Sequence, residues 1–259
     1  LSDTIEQATY YENNEVLTIA LKLELEYLLR LNFPNLAESE LYHKHFMQNE
    51  ALKKTRKIVE QSSLHNLLKY RLSHIGSIRT SKQKQDMNDL MVNELSIAAS
   101  SGIEGNFELM RNHRLFQANY LMGAGEYKAA LNSYKELSRL FEQNRQFWSN
   151  PPIYYLSAIQ GILDSLCIAG LYHETPFFLS KLEELTQNEY STEFILHLKT
   201  LIYIYKSNSL LQAGNFEQAL ELRDKQENEL LKKVTSLGLE SQLRLYLSFA
   251  VLGMYTKDY

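Results

Sequence analysis

The apolar residues of this chain recur with the period of an α-helix. Leucines stand three or four residues apart within residues 17–28 and 64–72, and Leu131, Tyr134 and Leu137 follow the same rule. Side chains at these intervals share one helix face, so each run predicts a helix with one buried side. We predict about eleven helices in this way, near residues 13–32, 36–60, 63–78, 82–100, 106–123, 126–143, 152–169, 174–187, 192–213, 216–235 and 238–254.

The composition also favours helices over strands. The 259 residues include 10 Gly and 4 Pro, whereas average usage would give about 18 and about 13. A protein of many short strands needs these residues at its turns. With 44% hydrophobic and 22% charged residues, the chain is not of the disordered or collagen-like class. The sequence therefore predicts an all-α fold, and since no long linker interrupts it, one domain over residues 1–259.

A nine-residue block recurs in the second half of the chain. Residues 119–127, 164–172 and 208–216 share the pattern Asn/Asp-x-Leu-x-x-Ala-Gly-x-Tyr/Phe, and residues 247–255 are a weaker fourth copy. A glycine at this place ends a helix in the left-handed conformation, and the aromatic residue begins the next helix. Helical hairpins at a near-constant period predict a solenoid. The four block glycines are 45, 44 and 39 residues apart: Gly125, Gly170, Gly214 and Gly253.

This block resembles the tetratricopeptide repeat (TPR) family. The family pattern of a small residue, Asn, Gly-x-Tyr/Phe and a later Ala is present twice, and the Gly170 copy departs from it with Thr175 in place of Ala. The spacing exceeds the 34 residues usual in that family. The resemblance covers residues 106–259 and leaves 1–105 as degenerate hairpins; it implies a right-handed α-α superhelix that binds a protein or peptide. The matching residues are Ala118, Asn119, Gly125, Tyr127, Ala130 and Tyr134, then Ser207, Asn208, Gly214, Phe216 and Ala219.

The resemblance also implies where a ligand would lie. In that family the concave groove is lined by the first helix of each hairpin, and a polar residue there hydrogen-bonds the ligand backbone. Asn119, Asp164 and Asn208 hold that position in this chain. Gln160 and Asn112 are further groove candidates. An Asn amide both donates and accepts, which suits an extended peptide; the alternative is that these side chains only bond the backbone of the neighbouring repeat.

The charge is unevenly distributed, which raises a second function. Residues 44–84 carry a net charge of +8, and residues 1–43 carry −6. A basic segment can bind nucleic acid, and the candidates for a basic patch are Lys53, Lys54, Arg56 and Lys57. These four spread around more than half a helical turn, which favours the alternative of a solvated helix face.

Catalytic and metal-binding patterns are missing from the sequence. It has no Gly-rich phosphate loop and no nucleophile elbow, and its one cysteine, Cys167, has no metal-ligand spacing to a histidine. We expect His43 and His45 to be solvated, and Trp148 either to fasten its loop or to anchor a partner. We therefore predict no enzyme, no cofactor, no metal and no membrane-spanning helix.

The sequence thus predicts a non-catalytic scaffold that binds a protein or peptide. The longer hairpins resemble those of sensor and regulator proteins built on TPR-like solenoids, so we expect the sensory or docking domain of a larger regulatory or signalling protein. The sequence ends at Tyr259, four residues past Tyr255, where the second helix of the fourth hairpin should begin, so we also expect the natural protein to continue. A single reduced Cys167 is compatible with the cytoplasm. The alternative is a nucleic-acid-binding regulator that uses residues 44–84.

Overall fold

The structure, a computed structural model, describes residues 1–76, 78–101 and 105–256. Every regular element in these ranges is a helix, and they contain no strand, as predicted. Residue 77, within the predicted helix 63–78, lies outside this description, as do 102–104 and 257–259. The α-helices are α1 (Ser2–Tyr10), α2 (Asn14–Arg30), α3 (Glu38–Ile75), α4 (Ser81–Gln85), α5 (Asn88–Ser101), α6 (Phe107–Gly123), α7 (Tyr127–Gln143), α8 (Ile153–Ala169), α9 (Thr175–Thr186), α10 (Thr192–Gln212), α11 (Phe216–Lys232) and α12 (Leu239–Thr256).

The chain forms two compact units, residues 1–125 and 126–259. In the first unit α1 packs on α2, α2 packs on α3, and α3 packs on both α5 and α6. Because α3 is so long, it contributes to two separate apolar clusters. Ala51 lies in the first with Leu21 of α2, and Leu68 lies in the second with Phe116 of α6.

Three helix predictions in the first unit are wrong. The predicted helices 36–60 and 63–78 are the single helix α3, because no Gly or Pro interrupts residues 38–75. The predicted helix 82–100 is two helices: α4 begins with a capping box of Thr80 and Gln83 and ends at Gln85, and α5 begins at Asn88. The prediction also lacked α1, which lies before the first predicted helix.

The second unit consists of helices that pack in chain order. Helices α8 and α10 pack on their successors α9 and α11, and α10 also packs on α8 and α12. The turns that follow α8 and α10 are the predicted ones: Gly170 and Gly214 are left-handed, with φ of 70° and 73°. In each turn the amide after the glycine donates to a carbonyl five residues earlier, at 2.9 Å, so both are Schellman caps.

The fourth predicted turn is wrong. Helix α12 continues through Gly253 to Thr256. An isolated glycine costs a helix only about 1 kcal/mol relative to alanine. Here the last turns are held by Leu252, which is fully buried, and by Tyr255, whose ring stacks on Phe216 of α11 at 5.7 Å. By contrast, Gly125 is left-handed as predicted, with φ of 77°. In the part of the chain that the structure describes, no helix is long and apolar enough to span a membrane.

Candidate functional site

A charged hydrogen-bond network joins helices α8, α10 and α12 of the second unit. The Arg244 guanidinium of α12 donates to both carboxylate oxygens of Asp164 on α8, at 2.7 and 3.3 Å. The Tyr205 hydroxyl of α10 donates to Asp164 at 2.6 Å and accepts from Arg244 at 2.9 Å. Asp164, one of the predicted groove residues, is therefore hydrogen-bonded to side chains of α10 and α12.

The surroundings of this network decide which of its groups stay charged. Burial raises the pKa of the Tyr205 hydroxyl well above its usual value, and the Asp164 charge adds to this effect, so Tyr205 is neutral and can donate. Burial opposes the charge of Arg244, but the Tyr205 and Asp164 oxygens outweigh it and raise the Arg244 pKa. The side chains of Asp164 and Arg244 remain 30% and 24% exposed, so both charges reach the protein surface.

His197 and Ser241 extend this contact between α10 and α12. The Ser241 hydroxyl lies 3.2 Å from His197 Nδ1. Burial lowers the His197 pKa, and the charge of Arg244 lowers it further, which keeps the imidazole neutral. Because His197 pairs with Ser241 and Tyr205 pairs with Arg244, α10 and α12 run in the same direction.

Gln160 and Asn208 flank the network along the helices that carry it. Gln160 lies one turn before Asp164 on α8, and its backbone carbonyl is 3.4 Å from the Tyr205 hydroxyl. Asn208 lies three residues after Tyr205 on α10, on the same helix face. Both side chains are half-buried, and neither has a hydrogen bond to any residue that the structure describes.

The predicted groove residues of the first unit are engaged within that unit. The Asn119 amide lies 2.8 Å from His65 Nε2 of α3. Burial lowers the His65 pKa to about 4, and the charge of Lys69 adds to the effect, so the ring nitrogen accepts the amide proton. Asn112 is buried and accepts two hydrogen bonds from Arg111, at 2.9 and 3.1 Å. Asn119 and Asp164 therefore both bond side chains of other helices, whereas the alternative predicts bonds to backbone.

Three of the four residues of the predicted basic patch have partners on their own unit. Lys53 pairs with Glu50 at 2.7 Å and Arg56 with Glu60 at 2.9 Å. Lys57 donates at 2.6 Å to the Ser100 carbonyl, at the end of α5. Lys54 is exposed. The paired carboxylates offset much of the positive charge on this face of α3.

The other residues that the sequence analysis singled out are two histidines, a tryptophan and the cysteine. His43 and His45 are exposed, as expected. Trp148 donates to the Phe141 carbonyl at 2.8 Å and stacks on Tyr155 with a 4.4 Å ring separation, so it fastens its loop. Burial raises the Cys167 pKa to about 11, with a further contribution from Asp164. Across the described ranges, no three His, Cys, Asp or Glu side chains are placed to hold a metal ion.

Comparison of the chain with protein-family models, with curated proteins and with solved structures finds no match.

Proposed function

We propose that this protein is a non-catalytic docking scaffold of the tetratricopeptide-like class, and that its second unit binds an extended segment of another protein. The order of helix packing supports the class. Second helices α9 and α11 each pack on the first helix before and after them, and α8, α10 and α12 lie side by side. Successive hairpins of a right-handed superhelix would produce these neighbours.

The ligand would lie across α8 and α10, next to the Asp164–Arg244 pair. An extended peptide presents alternating backbone donors and acceptors, and an Asn or Gln amide can satisfy one of each. The observation that carries this proposal is Asn208, a half-buried amide beyond Tyr205 that has no partner among the described residues. Gln160 offers a second such amide before Asp164.

Selection of peptides from a random library displayed on phage would test the proposal. We expect the selected peptides to bind the chain. The substitution Asn208→Ala should lower their affinity about fivefold to tenfold, because one hydrogen bond contributes about 1 kcal/mol. Gln160→Ala should have a similar effect. Isothermal titration calorimetry would measure the affinities, and thermal unfolding would show whether each variant keeps its stability.

Asn132→Ala is the matched control, because Asn132 is an exposed Asn on the second helix α7. It should leave peptide affinity unchanged. The proposal fails if the library yields no binding peptide. It also fails if the Asn208 and Asn132 variants bind the selected peptides equally well.

A further inference from the structure

Helix α12 presents an uninterrupted apolar stripe to solvent. The large side chains of the stripe are between 48% and 72% exposed, and the exposed Ala250 lies among them. Their spacing of three or four residues places them on one helix face over about 22 Å. The stripe consists of Leu239, Leu243, Tyr246, Leu247, Ala250 and Met254.

The opposite face of α12 is already used within the second unit. Leu245 and Leu252 are fully buried against α10 and α11. Arg244 is turned to Asp164, so the guanidinium is not available to the stripe. The stripe is therefore a second apolar face, additional to the one that the fold of this unit needs.

We propose that this stripe is the contact between two copies of the chain, which cross as antiparallel α12 helices about a two-fold axis. An interface of this kind uses the same patch on both copies, so the patch has to be complementary to itself. With the axis between Tyr246 and Leu247, Leu239 faces Met254 of the second copy and Leu243 faces its Ala250. Every residue of the stripe then meets another residue of the stripe.

The charge and the area of the stripe are consistent with a second copy of the chain as its partner. Among the described residues of α12, the charged side chain beside the stripe is Glu240. The two-fold axis places it opposite Gly253 of the second copy, so the two Glu240 carboxylates do not face each other. Five large side chains at about 100–150 Å² each give roughly 600 Å² per copy. Both copies together then bury about 1,200 Å², which is the lower limit of specific protein interfaces. An uncharged stripe offers nothing specific to a nucleic acid or an acidic peptide.

Sedimentation velocity of the 259-residue chain would test the proposal. We expect a dimer that dissociates on dilution, and we expect Leu243→Glu to weaken it at least tenfold because the interface would then bury two carboxylates. Leu243 is 60% exposed, so this variant should keep its fold, which circular dichroism would verify. The control Leu23→Glu changes a leucine of α2 with 47% exposure and should leave the dimer intact.

Cross-linking would test the direction of the helices. In a Cys167→Ala background, chains with Leu239→Cys and chains with Met254→Cys should be joined by a short bismaleimide after mixing, and each variant alone should cross-link poorly. A chain that stays monomeric at all concentrations would refute the proposal. So would a dimer that Leu243→Glu leaves unchanged, or efficient cross-linking of the Leu239→Cys variant to itself.

Discussion

The packing of α8 on α7 in the second unit depends on one missing side chain. Gly161 of α8 lies against the ring of Tyr134 on α7, and a Cβ at Gly161 would be 2.4 Å from two ring carbons. Tyr134 is buried, so its ring has no space to turn away. This contact explains why a residue with a low helix propensity stands in the middle of a buried helix.

We therefore expect Gly161→Ala to destabilise the protein, although alanine is the better helix former by about 1 kcal/mol. The clash with Tyr134 should cost more than this gain, for a net loss of about 1–3 kcal/mol. Urea unfolding would measure it. Ser157→Ala, at an exposed position of the same helix, should change the stability by less than about 0.5 kcal/mol. Equal or greater stability of the Gly161 variant would contradict this account.

At the scale of elements, Arg244 connects α12 to helices α8 and α10. Its guanidinium binds Asp164 through two bonds and lies 5.4 Å from the centre of the Tyr205 ring. Tyr205 is almost completely buried, which keeps water from replacing these bonds on one side. The ion pair should therefore stabilise the fold more than a pair on an open surface does.

We expect Arg244→Ala to lower the free energy of unfolding by about 1–3 kcal/mol. A double-mutant cycle with Asp164→Asn should give a coupling of about 1 kcal/mol or more. Lys225→Ala removes an exposed ion pair on α11, 3.9 Å from Glu221, and should cost less than about 0.5 kcal/mol. Additive effects of the Arg244 and Asp164 substitutions would show that the network does not tie the helices together.

The sequence predicted the elements of the second unit better than those of the first. The bounds of α7 to α10 agree with the prediction within a residue. Some of these bounds are marked by Gly or Pro, since Pro152 precedes α8 and Gly170 and Gly214 follow the ends of α8 and α10. The prediction divided α3 between residues 60 and 63, where the polar Gln61 and Ser62 stand, yet Gln61 is buried within the helix. A change of polarity alone does not end a helix when neither Gly nor Pro accompanies it.

The site could be predicted in part. The repeat pattern indicates Asp164 and Asn208, because equivalent positions of successive hairpins face the same way. Arg244 lies 80 residues from Asp164 in sequence, and nothing local to either residue shows that they meet. One signal was available: Arg244 is a lone cation in an apolar stretch, and a half-buried charge needs a partner.

At the scale of the whole molecule, each unit contains a histidine that burial keeps neutral. Burial lowers the pKa of His65 in the first unit and of His197 in the second, and nearby cations add to both shifts. The unfolded chain binds a proton at these residues more readily than the folded chain does. For His65, the stability from this source is complete above the ordinary histidine pKa of 6.5 and is lost as the pH falls towards 4.

For His65 we expect a loss of about 2 kcal/mol between about pH 7 and pH 4.5, which allows for its partial exposure. His65→Gln should remove this part of the pH dependence, because a glutamine oxygen still accepts from Asn119 but does not titrate. Urea unfolding of both chains at the two pH values would measure the difference. His43→Gln, at an exposed position, should keep the full pH dependence of the unchanged chain. If the His65 variant loses as much stability in acid as the unchanged chain, then protonation of His65 does not destabilise the first unit.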